Sequence, residues 1–318
     1  MKNIAFVFPG QGTHYTGMGK DIAQTFKEAD EVFQQANDVM GIDIRKLCYE
    51  GPDSELVKTE NSQPTIHTTS MAILKVLQNR GYDADVTAGF SLGQYAALAF
   101  AGSFKFEDSV QLVKKRGVGI QEVIAMGMGK MCFIVGLERE EIFQIVRDCR
   151  HLGHIQPSNY NCPGQIIVSG YNAPADHAQK LALERGAKAA NFLSVSAPFH
   201  STIITEGGIK LYHELVKVDV QNPKKRYVDN VTGEFFDEIT NDLKTLLMEH
   251  VYKAVMWEDS VNAMLREGVD TFVEIGPKNL MTDFNRRTAE KAGVPVKCYN
   301  IEDVATLEEF MRNEKPVK

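Results

Sequence analysis

The most constraining feature of the sequence is the pentapeptide Gly89-Phe90-Ser91-Leu92-Gly93. A short apolar segment at residues 86–88 precedes it, and a run of small and apolar residues at 94–101 follows it. The first pattern predicts the end of a strand, and the second predicts a buried helix. Glycines two positions before and after a serine permit a tight strand-to-helix turn that lifts the hydroxyl away from the backbone. Ser91 is therefore either a candidate nucleophile or a turn serine that only caps a helix.

Length and composition are those of an ordinary globular protein. The 318 residues are enough for one large domain with an insertion, or for two domains. No apolar run is long enough to cross a bilayer, so we expect no membrane partner. The apolar segment within residues 1–12 is too short for a secretory signal, and glycine interrupts it too early. The net charge of −7 gives no support to nucleic-acid binding.

The five cysteines predict a reducing environment. They are odd in number and show no Cys-X-X-Cys spacing. This argues against a disulfide framework and against a zinc site. We therefore expect a cytoplasmic protein that holds no metal.

The first part of the chain alternates strand and helix patterns. Ile4–Phe8 predicts a first buried strand, and the glycine-rich loop after it lies where ligands bind in open parallel sheets. That loop either presents backbone N–H groups to an anion or is an ordinary turn. Helical patterning covers residues 21–40, and Ser62-Gln63-Pro64 predicts a helix start with proline in the first turn. Gly81 is suited to end that helix.

Residues 106–124 predict an amphipathic helix that carries an arginine on its apolar side. Arg116 lies three residues after Val113 and four before Ile120, and both of these belong to the apolar stripe. A buried arginine needs a partner, which could be a carboxylate of the protein or that of a substrate. The planar guanidinium suits bidentate binding of a carboxylate.

The pattern of predicted elements changes after residue 126. Strand, helix, two strands, helix and strand follow at residues 131–137, 140–149, 156–161, 165–170, 175–185 and 189–195. This order is that of the ferredoxin-like fold. We predict an α/β protein in which residues 1–126 and 197–318 form a large α/β-hydrolase-like domain with a parallel sheet. Residues 127–196 form an inserted ferredoxin-like small subdomain.

A histidine stands in the loop where the chain returns to the large domain. His200 lies within Pro198-Phe199-His200-Ser201 and follows the serine in chain order, as in α/β-hydrolase-type enzymes. It is either the base that takes the proton of Ser91 or an ordinary surface histidine. Further strands are predicted at 227–231 and Thr271–Ile275, with a helical stretch at 243–264 between them.

Seven separated stretches together resemble one known family. They are Phe8-Pro9-Gly10-Gln11-Gly12, Gln63-Pro64, Gly89-Phe90-Ser91-Leu92-Gly93-Gln94-Tyr95, Arg116-Gly117, Asn159-Tyr160-Asn161-Cys162-Pro163-Gly164-Gln165, Ser196-Ala197-Pro198-Phe199-His200-Ser201 and Glu274-Ile275-Gly276-Pro277. In type and order they resemble the malonyl-CoA:acyl-carrier-protein transacylases. This family includes the fatty-acid synthase enzyme and the free-standing acyltransferases of polyketide synthesis. The stretches run from residue 8 to residue 277 and cover nearly the whole chain.

The resemblance implies a ping-pong acyl transfer. Ser91, deprotonated by His200, would attack the thioester of malonyl-CoA and release CoA. The phosphopantetheine thiol of an acyl carrier protein would then take the malonyl group. Backbone N–H groups of Gln11 and Leu92 would form the oxyanion hole, in which each donor is worth about 3–4 kcal/mol. The family also implies a monomer with no bound cofactor.

The resemblance assigns substrate selectivity to two residues. Arg116 falls on the carboxylate-binding arginine of the family. It would reject acetyl groups because acetyl would leave its guanidinium unpaired. Phe199 resembles the malonyl-selective version of its loop, in which a bulky ring crowds an α-methyl branch.

Three positions depart from the family pattern. Phe90 stands where histidine is usual, and Lys278 replaces a usual glycine. His250 stands where the family often has a glutamine whose backbone carbonyl orients the catalytic histidine. Because a carbonyl contact survives a change of side chain, we expect His250 to keep this role. The departures favour a specialised polyketide acyltransferase.

Two other functions are weighed against this interpretation. A serine hydrolase that acts on carrier-bound acyl chains is expected to lack the carboxylate-binding arginine, and Arg116 is present. The sequence also shows no obvious aspartate placed to complete a triad. A catalytically silent acyl- or carrier-binding module has no need of both Ser91 and His200.

Overall fold

Two β-sheets organise the chain in a computed structural model that describes residues 3–123, 127–195 and 197–316. In chain order, the elements are β1 (Ile4–Phe8), α1 (Lys20–Thr25), α2 (Lys27–Met40), α3 (Ile44–Glu50), α4 (Asp53–Leu56), α5 (Thr59–Asn79), β2 (Val86–Gly89), α6 (Gln94–Phe100), α7 (Phe106–Val123), β3 (Gly129–Val135), α8 (Arg139–Cys149), β4 (Ile155–Cys162), β5 (Gln165–Tyr171), α9 (Asn172–Glu184), β6 (Ala189–Phe192), α10 (Thr205–Leu215), β7 (Arg226–Val228), α11 (Leu243–Glu249), α12 (Trp257–Arg266), β8 (Thr271–Ile275), α13 (Leu280–Ala292), β9 (Lys297–Ile301) and α14 (Val304–Asn313).

The first sheet is parallel, with the strand order β7-β2-β1-β8-β9. Strands β1, β2 and β8 are buried along their whole length, as expected for strands covered by helices on both faces. Val7 lies between Ala88 on β2 and Glu274 on β8. The carboxyl ends of these three strands therefore meet at one edge, where open α/β sheets bind ligands.

The second sheet is antiparallel and has the strand order β4-β5-β3-β6. Helices α8 and α9 pack on it through small and β-branched residues such as Ile145, Val146 and Ala178. The predicted sequence of strand, helix, two strands, helix and strand is confirmed, with boundaries shifted by up to three residues. The prediction of an α/β protein with a parallel sheet and a second, smaller sheet is also confirmed.

Two helix predictions in the first part of the chain need correction. The stretch 21–40 is two helices, because Phe26 adopts an extended conformation (φ −121°, ψ 115°) that places its ring under the guanidinium of Arg80. The expected start at residues 62–64 is wrong, because α5 begins at Thr59 and Pro64 is its sixth residue. Only the first four N–H groups of a helix lack a partner within it, so this proline removes a helical hydrogen bond. Gly81 does end the helix, with φ +77°.

Two predictions in the last part of the chain were too long. The strand expected at 227–231 stops at Val228, because the Asp229 carboxylate accepts from the N–H groups of Val231 and Thr232 and bends the chain. The stretch 243–264 is divided into α11 and α12 by residues 250–256. Ile124, the predicted end of α7, and Ser196, at the predicted subdomain boundary, lie outside the described residues.

The described residues contain no helix long and apolar enough to cross a membrane. All five cysteines are free thiols in the structure.

Candidate active site

Ser91 stands on a tight turn between β2 and α6, as predicted. Its φ is +52°, in the left-handed region that most side chains avoid. A Cβ atom on Gly89 would lie 2.0 Å from the Gly93 backbone, and one on Gly93 would lie 2.0 Å from the Phe8 carbonyl oxygen. Both glycines are therefore required by close backbone approach. The Ser91 N–H donates to Asn230 Oδ1 (2.7 Å), which holds the turn from the neighbouring strand end.

His200 lies beside the serine hydroxyl. Its Nε2 is 2.8 Å from Ser91 Oγ, and its Nδ1 is 2.9 Å from the His250 carbonyl oxygen and 3.1 Å from that of Lys253. Carbonyl oxygens only accept hydrogen bonds, so Nδ1 carries the ring proton. The Nε2 lone pair then accepts the hydroxyl proton of Ser91, which is the arrangement a general base needs.

Burial keeps His200 neutral. Burial and the nearby charge of Arg116 lower the pKa of His200 to about 3, while the His250 and Lys253 carbonyls act in the opposite direction. The ring is thus a free proton acceptor at neutral pH. The same two carbonyls would stabilise the imidazolium that forms when the ring takes a proton. In many serine enzymes a carboxylate has this task.

Arg116 reaches the site from α7, and the prediction that it faces the interior is confirmed. It is 2% exposed, and its Nη2 donates to Ser91 Oγ over 3.2 Å. Within the described ranges it makes no ion pair, and its buried Nε has no hydrogen-bond partner. Burial lowers the pKa of the guanidinium. A buried charge without an anion is unfavourable, so this position is suited to a carboxylate that arrives with a ligand.

A cavity of about 1130 Å³ opens between the two sheets, with the serine, the histidine and the arginine in its wall. Phe199 lines it beside the histidine and is 7% exposed. The other apolar lining residues come mostly from the antiparallel sheet and its connections, and include Met131, Phe133, Ile167 and Leu193. This volume slightly exceeds the usual range of about 300–1,000 Å³ for ligand pockets.

The loop after β1 contacts the turn that carries the serine. A Cβ atom on Gly10 would lie 2.6 Å from the Phe90 carbonyl oxygen. Gln11 lines the cavity, and its side chain accepts from Gln63 Nε2 (3.3 Å). Leu92 follows the serine and is 1% exposed. The backbone at Gly10 is thus packed against the Ser91 turn.

Sequence reasoning missed several polar residues of the site. Gln156, on β4, donates to the carbonyl oxygens of His200 (3.1 Å) and Tyr252 (3.4 Å). No pattern in the sequence pointed to it. Asn230 follows β7 at the ligand-binding edge, and its N–H donates to Gln94 Oε1 (2.9 Å). Its place near the carboxyl end of the strand predicted at 227–231 was the signal that could have found it.

The His250 side chain takes no part in these contacts. Its ring is fully buried, lies 5.0 Å from the His200 ring, and both of its nitrogens lack a hydrogen-bond partner in the described structure. Burial lowers its pKa well below the usual value. In the ranges that the structure describes, no group of three or more His, Cys, Asp or Glu residues could hold a metal ion.

Comparison with known proteins identifies similar sequences and structures. The acyl transferase domain family matches residues 5–315. The malonyl CoA-acyl carrier protein transacylase of Bacillus subtilis is 37% identical over 309 residues, which are 97% of this chain and 96% of that protein.

Two solved structures extend this similarity. The malonyl CoA-acyl carrier protein transacylase from Clostridium perfringens has a TM-score of 0.94 at 37% identity, covering 98% of this chain and 96% of that one. A malonyl-transacylase in complex with its type II polyketide synthase acyl-carrier protein has a TM-score of 0.94 at 32% identity, covering 98% of this chain and 100% of that one.

Proposed function

The chain belongs to the acyl transferase domain family, and from this premise we propose how it works as an enzyme. It transfers a malonyl group from CoA to the phosphopantetheine thiol of an acyl carrier protein, in fatty-acid or polyketide synthesis. The observation that carries this function is the contact of Ser91 Oγ with both His200 Nε2 (2.8 Å) and Arg116 Nη2 (3.2 Å). The nucleophilic oxygen thus contacts both a base and a cation in the cavity wall.

Acylation begins with proton transfer from serine to histidine. Ser91 Oγ attacks the thioester carbonyl carbon of malonyl-CoA, and its proton passes to His200 Nε2. When the tetrahedral intermediate collapses, the carbon–sulfur bond breaks and the proton passes from the imidazolium to the leaving CoA sulfur. The products are malonyl-Ser91 and free CoA. In the second half, the same histidine deprotonates the carrier thiol, and the thiolate attacks the ester carbonyl of malonyl-Ser91. The bond between this carbonyl carbon and Ser91 Oγ then breaks, and the proton passes from the imidazolium back to Ser91 Oγ.

Two backbone N–H groups hold the developing oxyanion in this proposal. They are those of Leu92, next to the nucleophile, and Gln11, in the loop packed on the Ser91 turn. The Gln11 side chain is held by Gln63, which supports a fixed position for its peptide. Each such donor is worth on the order of 3–4 kcal/mol in the transition state.

Selectivity for malonyl comes from Arg116 and Phe199. The guanidinium pairs with the free malonyl carboxylate and at the same time neutralises its own buried charge. Because the charge of Arg116 lowers the pKa of His200, the bound carboxylate also makes the histidine a better base. The Phe199 ring occupies the cavity wall beside the histidine and limits room for an α-methyl branch.

We assign residues 1–126 and 197–318 to an α/β-hydrolase-like domain and residues 127–196 to a ferredoxin-like subdomain. The strand order β4-β5-β3-β6 supports the second assignment. The five free thiols fit a reducing cytoplasm. We further propose a monomer that binds no cofactor, metal, membrane or nucleic acid.

A transfer assay tests the function. Malonyl-CoA is mixed with the protein and a phosphopantetheinylated carrier, and malonyl-carrier, CoA and free malonate are measured together. The transferase gives equal amounts of CoA and malonyl-carrier, and the Ser91→Ala variant gives neither. Free malonate formed with or without the carrier would identify a hydrolase. Binding of malonyl-CoA without any product would identify a binding module.

A further inference from the structure

Lys278 shares an unusual backbone conformation with the two reacting residues. Among the described non-glycine residues, φ is positive only at Ser91 (+52°), His200 (+54°) and Lys278 (+60°). Such conformations persist where the surrounding structure fixes them, and they are concentrated at functional sites. Lys278 also lines the cavity that contains the other two.

Side chains from the end of β9 hold the Lys278 backbone in this conformation. The Lys278 N–H donates to Glu302 Oε2 (2.9 Å), and its carbonyl oxygen accepts from Asn300 Nδ2. The Glu302 carboxylate thus binds the peptide of the lysine, and it also accepts from the Tyr15 hydroxyl (3.2 Å). Both ends of the residue are fixed, so the direction in which its side chain leaves the backbone is fixed as well.

The ammonium group of Lys278 has capacity left for a ligand. Its Nζ donates to the Gly12 carbonyl oxygen over 3.3 Å, and in the described part of the chain it makes no ion pair. An ammonium has three donors, so a single long hydrogen bond leaves it incompletely used. Lys58, another lysine of the cavity wall, is instead paired with Glu55 at 2.7 Å.

His14 lies in the same part of the wall. Its Nδ1 is buried and lacks a hydrogen-bond partner in the described residues. Burial, and after it the charge of Lys278, lower the pKa of His14, while Asp53 acts in the opposite direction. The ring is therefore neutral near pH 7 and close enough to Lys278 to sense its charge. Among the described residues that line the cavity, Arg116 and Lys278 are the cations without an ion pair, and Glu60 is the one carboxylate.

The position of Lys278 fits the outer end of a bound substrate. Ser91 follows β2 and Lys278 follows β8, and β1 lies between these strands. With a spacing of about 4.8 Å between neighbouring strands, the two strand ends are roughly 10 Å apart. Lys278 is exposed at the cavity edge while Ser91 is buried. An extended thioester arm with its carbonyl at the serine would pass Lys278 on the way out.

We propose that Lys278, with His14 beside it, binds the phosphate at the end of the pantetheine arm. This inference rests on the proposed function, since CoA and the carrier protein both present this phosphate. The lysine would then contact the arm in both halves of the reaction. It would help to place the thioester or the thiol at Ser91 without taking part in bond making.

The test compares thioesters with and without the phosphate. The rate of Ser91 malonylation is measured against the concentration of malonyl-CoA or malonyl-pantetheine, for the wild-type protein and for Lys278→Gln, Lys278→Arg and Lys58→Gln. We expect Lys278→Gln to raise the half-saturating concentration of malonyl-CoA about three- to tenfold with an unchanged maximal rate. Malonyl-pantetheine should show no change. Lys278→Arg should behave as wild type, and Lys58→Gln should be near wild type because its lysine is already paired.

Several results would overturn the inference. An equal loss with both thioesters would mean that Lys278 acts through the Gly12 loop, and no loss with either would remove it from binding. In the second half-reaction, Lys278→Gln should raise the half-saturating concentration of the phosphopantetheinylated carrier as well. If Lys278→Gln weakened the binding of malonyl-CoA but not that of the carrier, the lysine would bind the other phosphates of CoA. That result would contradict a phosphate site that CoA and the carrier share. If the wild-type protein is acylated by neither thioester, the proposed function itself fails.

Discussion

Replacing Arg116 by alanine should reverse the acyl preference of the enzyme. The guanidinium is buried, contacts Ser91 Oγ at 3.2 Å, and pairs with no carboxylate of the described chain. In our account its anion is the malonyl carboxylate. The Arg116→Ala variant would leave that carboxylate buried without a partner. Acetyl-CoA would no longer leave a desolvated guanidinium unpaired, so its relative rate should increase.

The size of the effect follows from the burial of the charge. Truncating one partner of a buried, hydrogen-bonded charge pair costs about 2–5 kcal/mol. At about 1.4 kcal/mol per factor of ten, kcat/KM for malonyl-CoA should fall about thirtyfold to several thousandfold. The ratio of malonyl to acetyl activity should fall further, because the activity with acetyl-CoA increases.

The same variant should change the pH profile. The charge of Arg116 is one of the two causes that lower the pKa of His200 to about 3. Without that charge the pKa rises toward its ordinary value of about 6.5. A base works in its unprotonated form, above its pKa. The acidic limb of kcat/KM should therefore lie at higher pH in Arg116→Ala than in the wild type.

The assay measures kcat/KM for malonyl-CoA and acetyl-CoA from pH 3 to pH 8, in the wild type, Arg116→Ala and Arg116→Lys. Lysine keeps the charge without the planar fork, so it should retain the wild-type acidic limb but lose part of the malonyl preference. An unchanged acyl preference in Arg116→Ala would refute the carboxylate role. An unchanged acidic limb would refute the electrostatic coupling to His200.

Variants at three further positions test other parts of the site. His200→Ala should abolish acyl-enzyme formation in a single-turnover assay, and a wild-type rate would remove it as the base. Gln156→Ala should lower the maximal rate of acylation about tenfold with little change in KM. The reason is that the backbone carbonyl of His200 loses a hydrogen bond worth about 1–1.5 kcal/mol. Gln156→Glu keeps the acceptor oxygen but loses the donor, so it should not restore the rate. Phe199→Ala should raise the ratio of methylmalonyl to malonyl transfer about tenfold, since one methyl group is worth about 1–3 kcal/mol in such a pocket. An unchanged ratio in competition assays would remove this ring from selectivity.

The local features of the site could be predicted from the sequence, because they depend on residues that are close together in the chain. The burial of Arg116 followed from its three- and four-residue distance to apolar helix positions, and the glycines around Ser91 predicted the turn. The predicted start of α5 was wrong because proline is usual in a first helical turn, whereas Pro64 lies inside α5. The kink at Phe26 depends on a contact with Arg80, 54 residues away in sequence numbering, and no local pattern encodes such a contact.

Contacts between residues of different strands and loops could not be predicted from the sequence. Gln156 reaches the His200 carbonyl only because β4 lies against the loop that carries the histidine. The left-handed conformation of Lys278 depends on Glu302 and Asn300, which belong to the end of another strand. These contacts are set by tertiary packing, which a single sequence does not display.

In the proposed mechanism, the malonyl group is bound covalently to Ser91 between its release from CoA and its transfer to the carrier. The most direct measurement is the intact mass of the protein after brief mixing with malonyl-CoA, followed by peptide mapping and a chase with phosphopantetheinylated carrier. We expect one malonyl adduct, located on Ser91, absent from Ser91→Ala and transferred to the carrier during the chase. An unmodified protein that still forms malonyl-carrier, or an adduct on another residue, would contradict it.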